Sequence, residues 1–398
     1  MRTSRAHCAQ WILLVTAAAS ACADDGAAPT ETATTDDTDD STGEANDSSS
    51  DTGDAPTTGD APTTTGDGEP SGAPIEAPAE TWTWVPFAAA RCANGDSTGI
   101  AVNLTDRSDR VVVYLEGGGA CWDEATCYTM NASTHVAEGY GEAQFAADFG
   151  PDLPKVATAQ IFDRDDADNP FRDMSFVYVP YCTGDMHGGD NVVTYGAHTT
   201  MHVGGANLVA YLERIVPTFP TAERAYLVGA SAGGYGATFN WWRMQQAFGD
   251  VRVDLVDDSG PPLDPPYLAQ ELSSTWRERW NLAASLPPDC PACQDTFGAL
   301  YDYYGAKFTS QRWALLSYTR DWIVPIYFGF EIEQFPQAIE EIVQTHVDPY
   351  AQARYFLLDD VGHVLLTAPM PVTSAGVVLQ AWLAQMVDDD PTWASVHP

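Results

Sequence analysis

The sequence predicts an α/β fold built on a mainly parallel sheet with helices on both faces. Short runs that are apolar throughout, among them Val111–Leu115, Phe176–Val179 and Tyr226–Val228, read as strands buried on both sides. Segments of helical period lie between them, the alternation that produces parallel sheets with helical crossovers. A third observation marks one strand end: Tyr226–Val228 feeds directly into Gly229-Ala230-Ser231-Ala232-Gly233.

Residues 1–22 read as an export signal. Arg2 and Arg5 precede an apolar run from Trp11 to Ala19, and Ala19-Ser20-Ala21-Cys22 follows. The run is too short to span a bilayer. Two outcomes stay open for this leader. One is lipidation of Cys22, as in the bacterial lipoproteins that this N-terminus resembles, with membrane attachment at the cell surface. The other is plain cleavage and secretion. Residues 23–80 are rich in Asp, Thr, Ser, Gly, Ala and Pro, with a near-repeat at Ala55–Asp60 and Ala61–Asp67. Such a stretch buries too little apolar area to offset its chain entropy, so a disordered tether is expected, ahead of a catalytic domain over 81–398.

The formal charge of −38 is not confined to that tether. Residues 24–80 hold 16 of the 56 acidic side chains and no Lys or Arg, which leaves 40 acids against 16 bases from residue 81 onward. An acidic folded part argues against nucleic acid or an anionic membrane as partner. Cys8 and Cys22 fall in the leader, leaving Cys92, Cys121, Cys127, Cys182, Cys290 and Cys293. An even number in an exported chain predicts disulfides. The short spacings pair Cys121 with Cys127 and Cys290 with Cys293, which leaves Cys92–Cys182. Zinc is the competing reading, and a single Cys-x-x-Cys lacks the spacing for it.

Taken in order, Trp82 and Trp84 alternate with threonine and begin a first strand; Ile100–Leu104 gives a second. Val111–Leu115 is the third and runs into Glu116-Gly117-Gly118-Gly119. After the strand Phe176–Pro180, a helix covers Asn207–Ile215, with Leu208, Leu212 and Ile215 as its apolar stripe. Ala225–Val228 is a strand, and a helix follows over 233–248. Val253–Val256 is a strand ending at Asp257-Asp258-Ser259-Gly260. A mixed segment, 263–306, is expected as a partly helical cap that helps form the pocket. Trp313–Tyr318 and Tyr355–Leu358 are further strands, with a helical stretch over 334–345 between them and a closing helix over 374–387.

The chemistry-bearing residues fall at the carboxyl ends of these strands, where such sheets place their sites. Gly229-x-Ser231-x-Gly233 between strand and helix has the form of a nucleophile elbow. A serine hydroxyl needs a base, and the base needs an acid to orient it. His363, after the last strand, is the candidate base. Asp321, after the strand ending at Tyr318, is the candidate acid, with Asp258 as the alternative. The order Ser, Asp, His is that of α/β-hydrolases. The N–H of Ala232 and those of Gly117 and Gly118 are the candidate donors to an oxyanion. His198 and His202 stand four apart, a spacing that could hold a metal on a helical face, and Asp163–Asp168 is an acidic run. The expectation for both is no metal.

Several stretches together resemble the pectin acetylesterase/Notum family. They are Leu115-Glu116-Gly117-Gly118 with Cys121, Asn169-Pro170, Val179-Pro180-Tyr181-Cys182, Gly229-x-Ser231-Ala232-Gly233-Gly234 and Asp258-Ser259-Gly260. The resemblance runs from about Trp84 to Leu366. It implies an α/β-hydrolase fold and hydrolysis of carboxylic esters on glycans or proteins. It also implies Ser231 as nucleophile, Asp321 as acid, His363 as base, and Gly117, Gly118 and Ala232 as oxyanion donors. The expectation is an exported monomeric serine carboxylesterase, without cofactor. It acts on O-acyl, first of all O-acetyl, esters of a polysaccharide such as pectin, or on a small ester. A serine amidase or lipase, and a non-catalytic surface binding protein on the same scaffold, are the alternatives.

Overall fold

Register between neighbouring strands, more than the strands themselves, decides where the chemistry falls. The computed structural model describes residues 72–150, 159–367 and 371–398. The leader, Cys22 and residues 23–71 lie outside the described residues.

The strands, in chain order, are β1 (Thr83–Arg91), β2 (Ser97–Asn103), β3 (Arg110–Leu115), β4 (Ser175–Val179), β5 (Asn191–Tyr195), β6 (His198–His202), β7 (Arg224–Ala230), β8 (Arg252–Asp258), β9 (Trp313–Asp321), β10 (Ala353–Gly362), β11 (Thr373–Ser374) and β12 (Val377–Val378). The α-helices are α1 (Glu142–Phe149), α2 (Gly204–Thr218), α3 (Ala232–Phe248), α4 (Gln270–Trp280), α5 (Ala299–Lys307), α6 (Ile323–Phe328), α7 (Phe335–Ile342) and α8 (Leu379–Val387). Eight strands form one sheet in the order β1-β2-β4-β3-β7-β8-β9-β10. β2 pairs antiparallel with β1 and with β4, and every other pairing in the sheet is parallel. This is the α/β-hydrolase fold.

Alternate residues of the central strands feed two separate cores. Val111, Val113 and Leu115 of β3 and Leu227 of β7 pack on one face, with Leu208 and Leu212 of α2 and Trp241 of α3. Val112, Tyr114, Tyr226 and Val228 pack on the other, with Leu379, Trp382 and Leu383 of α8. Burial on both faces is why these strands are apolar throughout.

The register aligns the strand ends. Leu115 pairs with Gly229, Ala230 with Asp258, and Asp321 with Gly362. Glu116, Ser231, Asp258, Asp321 and His363 therefore emerge along one edge of the sheet. Three disulfides, Cys92–Cys182, Cys121–Cys127 and Cys290–Cys293, are formed as the spacings predict.

Three features differ from the expectations. The folded unit starts before residue 81: Ile75 is buried, and its N–H donates to Thr218 Oγ1 at 2.7 Å. An Ala/Pro/Gly-rich stretch has no periodicity to reveal that docking. The closing helix begins at Leu379 rather than 374, because Ala375 and Gly376 take positive φ (48° and 81°) and turn β11 back on β12. His198 and His202 lie on a strand, paired with β5, and not on a helix.

Candidate active site

The elbow is a sharp turn forced by glycine. Ser231 has φ 57° and ψ −120°, a strained conformation between β7 and α3. A β-carbon on Gly229 would run into the carbonyl of Gly233, and one on Gly233 into the carbonyl of Leu115. The Ser231 N–H donates to the carbonyl of Asp258 at 2.7 Å, and the Ser231 carbonyl accepts from Gly234 N at 2.9 Å. The turn is thus tied to the next strand and to its own helix.

His363 follows β10, and its Nδ1 lies 2.6 Å from Asp321 Oδ2. A carboxylate can only accept, so the proton of this bond sits on Nδ1 and Nε2 keeps its lone pair. Nε2 is buried and has no hydrogen-bond partner among the described residues. Asp321 is fully buried. Its Oδ1 accepts the N–H groups of Ile323 at 2.7 Å and Val324 at 3.2 Å, at the start of α6. Both oxygens of Asp321 are therefore committed, one to a helix end and one to the imidazole.

Asp258, the alternative acid, makes no hydrogen bond to His363. Its carboxylate accepts Leu365 N at 3.0 Å and Leu366 N at 2.7 Å, just beyond the histidine. Ser259 Oγ accepts Val364 N at 3.1 Å. Asp258 is buried, and burial pushes its carboxyl up to about 6, against the pull of those N–H donors. It holds the loop that carries His363, while its own carbonyl holds Ser231.

The glycine loop approaches the elbow closely. A β-carbon on Gly117 would come within 3.0 Å of Ser231 Cβ. Two contacts clamp the residue before it. Tyr181 N donates to Glu116 Oε2 at 2.8 Å, and His187 Nε2 donates to the Glu116 carbonyl at 2.8 Å. Burial pushes the Glu116 carboxyl up to about 7 and lowers the pKa of His187, so the imidazole is neutral. Glu116 enters the sequence analysis only as part of the Leu115-Glu116-Gly117-Gly118 stretch, and His187 has no sequence signal of its own. The Glu116 side chain is legible only as the residue preceding the glycines. The N–H groups of Gly117, Gly118 and Ala232 have no acceptor among the described residues.

Ser231 and His363 open onto one cleft of about 270 Å³, counted with its open mouth, walled also by Ala232, Tyr235, Val324, Tyr327 and Phe328. The 263–306 segment is partly helical, and none of its residues lines the cleft. It stands behind the wall: the Trp276 ring lies 5.3 Å from Phe328, and Trp280 Nε1 donates to the Cys121 carbonyl at 2.9 Å. The wall itself comes from α6 and the start of α3.

The remaining titratable clusters are engaged structurally. His202 Nδ1 bonds the Thr183 carbonyl at 2.8 Å and its Nε2 meets Tyr195 Oη at 3.1 Å. His198 stacks on Tyr128 with centroids 3.9 Å apart. Cys121, Cys127 and His202 are mutually close, but the two sulfurs are bonded to each other. In the acidic run, Asp163 Oδ1 accepts Asp165 N at 2.8 Å, a local turn.

Comparison with known proteins agrees with this architecture. A solved structure described as the Wnt deacylase Notum from Drosophila superposes with a TM-score of 0.61 at 17% identity, covering 80% of this chain and 96% of that one. The palmitoleoyl-protein carboxylesterase notum2 of Xenopus laevis is 26% identical over 185 residues, 45% of this chain and 36% of its own length. The palmitoleoyl-protein carboxylesterase NOTUM of Drosophila melanogaster is 25% identical over 214 residues, 50% of this chain and 30% of its own. The chain thus spans about a third of the length of these curated relatives. The family profile described as Pectinacetylesterase matches residues 81–304, more than half of the chain. The chain belongs to the pectinacetylesterase family.

Proposed function

We propose that this protein is an exported serine carboxylesterase that removes short O-acyl groups, foremost O-acetyl, from a polysaccharide such as pectin. One observation carries the reading. The bond between Asp321 and His363 is made at the same sheet edge, and beside the same cleft, as the strained Ser231. Ser231 Oγ attacks the ester carbonyl carbon while His363 Nε2 takes the hydroxyl proton. The carbonyl oxygen becomes an oxyanion and receives the N–H groups of Gly117, Gly118 and Ala232. His363 then gives its proton to the departing alkoxide, which leaves as the alcohol, and an acyl-serine remains. Water attacks that ester, again losing a proton to Nε2, and the acid and free serine are released. Asp321 fixes the tautomer throughout and stabilises the imidazolium.

The substrate class rests on two supports. The family description is that of an acetylesterase, and the cleft beside Ser231 is small, about 270 Å³ even when its open mouth is counted. Three disulfides support an oxidising destination, in keeping with the leader. The test is hydrolysis of p-nitrophenyl acetate with labelling by a fluorophosphonate. The wild-type chain is expected to turn over the ester and to be labelled. Ser231→Ala is expected to do neither while melting at an unchanged temperature. Undiminished turnover by that variant would remove Ser231 from its role.

A further inference from the structure

We propose that Tyr327 is the residue that sets the upper limit on acyl-chain length, closing the cleft so that it takes acetyl to butyryl groups and refuses long chains. This rests on the esterase reading above and adds the residue responsible for its selectivity.

The observations concern the wall that α6 gives the cleft. Tyr327 lines the cleft beside Ser231. Its hydroxyl donates to the Ala132 carbonyl at 2.6 Å, across 195 residues of sequence. Burial pushes that hydroxyl up to about 12, so it stays a neutral donor. The phenol also lies against Gly119: a β-carbon there would collide with the Tyr327 hydroxyl and the Ala132 carbonyl, and would sit 2.9 Å from Cζ. Gly119 has φ 80°, so the loop reaches this position only as glycine. The Tyr327 ring is thus pinned between the glycine loop and the 132 segment.

Its neighbour Phe328 is held differently. It is buried, 5.7 Å from the Tyr235 ring and 5.3 Å from Trp276. Trp276 stacks in turn on Trp280 at 5.1 Å. Removing Phe328 would hollow the interior. Tyr327 is only half-buried and lines the cleft. Removing its ring enlarges the cleft itself, which is the change that gives a long chain room. A side chain wedged in place by a hydrogen bond and by backbone contact does not step aside at low cost.

The test is a chain-length series of p-nitrophenyl acetate, butyrate, octanoate and palmitate on the full chain, with fluorophosphonate labelling in parallel. For the wild-type protein, kcat/KM on acetate is expected to exceed that on octanoate by about 100-fold, since each misfitting methylene can cost about tenfold or more. Tyr327→Ala is expected to narrow that ratio by at least about tenfold, through a gain on octanoate. Tyr327→Phe keeps the ring and is expected to keep the wild-type cut-off. Melting temperatures identify a variant that does not fold, and in that event the wild-type profile decides. A labelled wild-type enzyme that ignores chain length overturns the inference alone, as does a folded Tyr327→Ala with the wild-type ratio. A chain that is neither labelled nor active on any ester overturns the esterase reading beneath it.

Discussion

Two buried aspartates stand within reach of one histidine loop, and their hydrogen bonds give them different work. Asp321 touches the imidazole; Asp258 accepts the backbone N–H groups beyond it and the Ser259 hydroxyl. Asp321→Asn replaces an acceptor with a group that can offer its own N–H to Nδ1, favouring the tautomer protonated on Nε2. The expected result is a fall in kcat of roughly 10³–10⁴ with little change in KM or melting temperature. Asp258→Asn leaves His363 its partner but loses at least one backbone bond at Leu365 or Leu366. The expected result is a smaller fall in kcat, about 10–100-fold, together with about 1–3 kcal/mol of lost stability. Steady-state kinetics and thermal melting of the pair check this. If Asp258→Asn were inactive at full stability and Asp321→Asn active, the two assignments would be exchanged.

At the scale of elements, the glycine loop after β3 is useful only if it is held against the elbow after β7. The clamp is made by His187, which lies between β4 and β5 and bonds the Glu116 carbonyl. His187→Ala should release that carbonyl and let the Gly117 and Gly118 N–H groups drift. A fall in kcat of about 10²-fold with KM nearly unchanged is expected, because the loss falls on the transition state. His187→Gln can restore a donor and should recover part of the rate; equal loss in both variants would reduce His187 to a packing residue. Contacts of this kind are what the sequence could not disclose. The strands were legible because Val111–Val113 and Tyr226–Val228 are continuous apolar runs, and the elbow because its glycines are spaced for a turn. Ser231, Asp321 and His363 could be ordered because each follows a strand. The hairpin of β5 and β6 lacked that signal: its alternation is weak, and its stability comes from packing around Tyr195 and His202. Likewise, α6 is only a short apolar segment after Asp321 in the sequence, and the fold is what puts Tyr327 in the wall of the cleft.

Across the whole molecule, burial of carboxyl groups near the site sets an unusual dependence of stability on pH. Burial pushes Glu116 and Asp257 up to about 7 each, and Asp258 up to about 6. Such groups bind protons more tightly folded than unfolded, where carboxyls titrate near ~4. Between those limits these three groups bind more protons in the native chain than in the unfolded one, so the stability they contribute falls as pH rises from about 4 to about 7, opposed in part by buried His187 and His202, whose lowered pKa favours the fold at higher pH. The sign is opposite to that of salt-bridged carboxylates. The groups whose pKa is lowered instead, such as Asp289 by its ion pair with Lys307 and Asp390 by its hydrogen bonds from Thr392, weaken the fold only on further acidification. The excess of acidic side chains reinforces the trend, because protonation relieves their mutual repulsion. The melting temperature is therefore expected to be several degrees higher at pH 5.5 than at pH 8. Glu116→Gln and Asp257→Asn should each flatten that slope, since each removes one titrating group while keeping its shape. A melting temperature that falls steadily from pH 8 to pH 5.5 would show that these three carboxyls are not held protonated by burial.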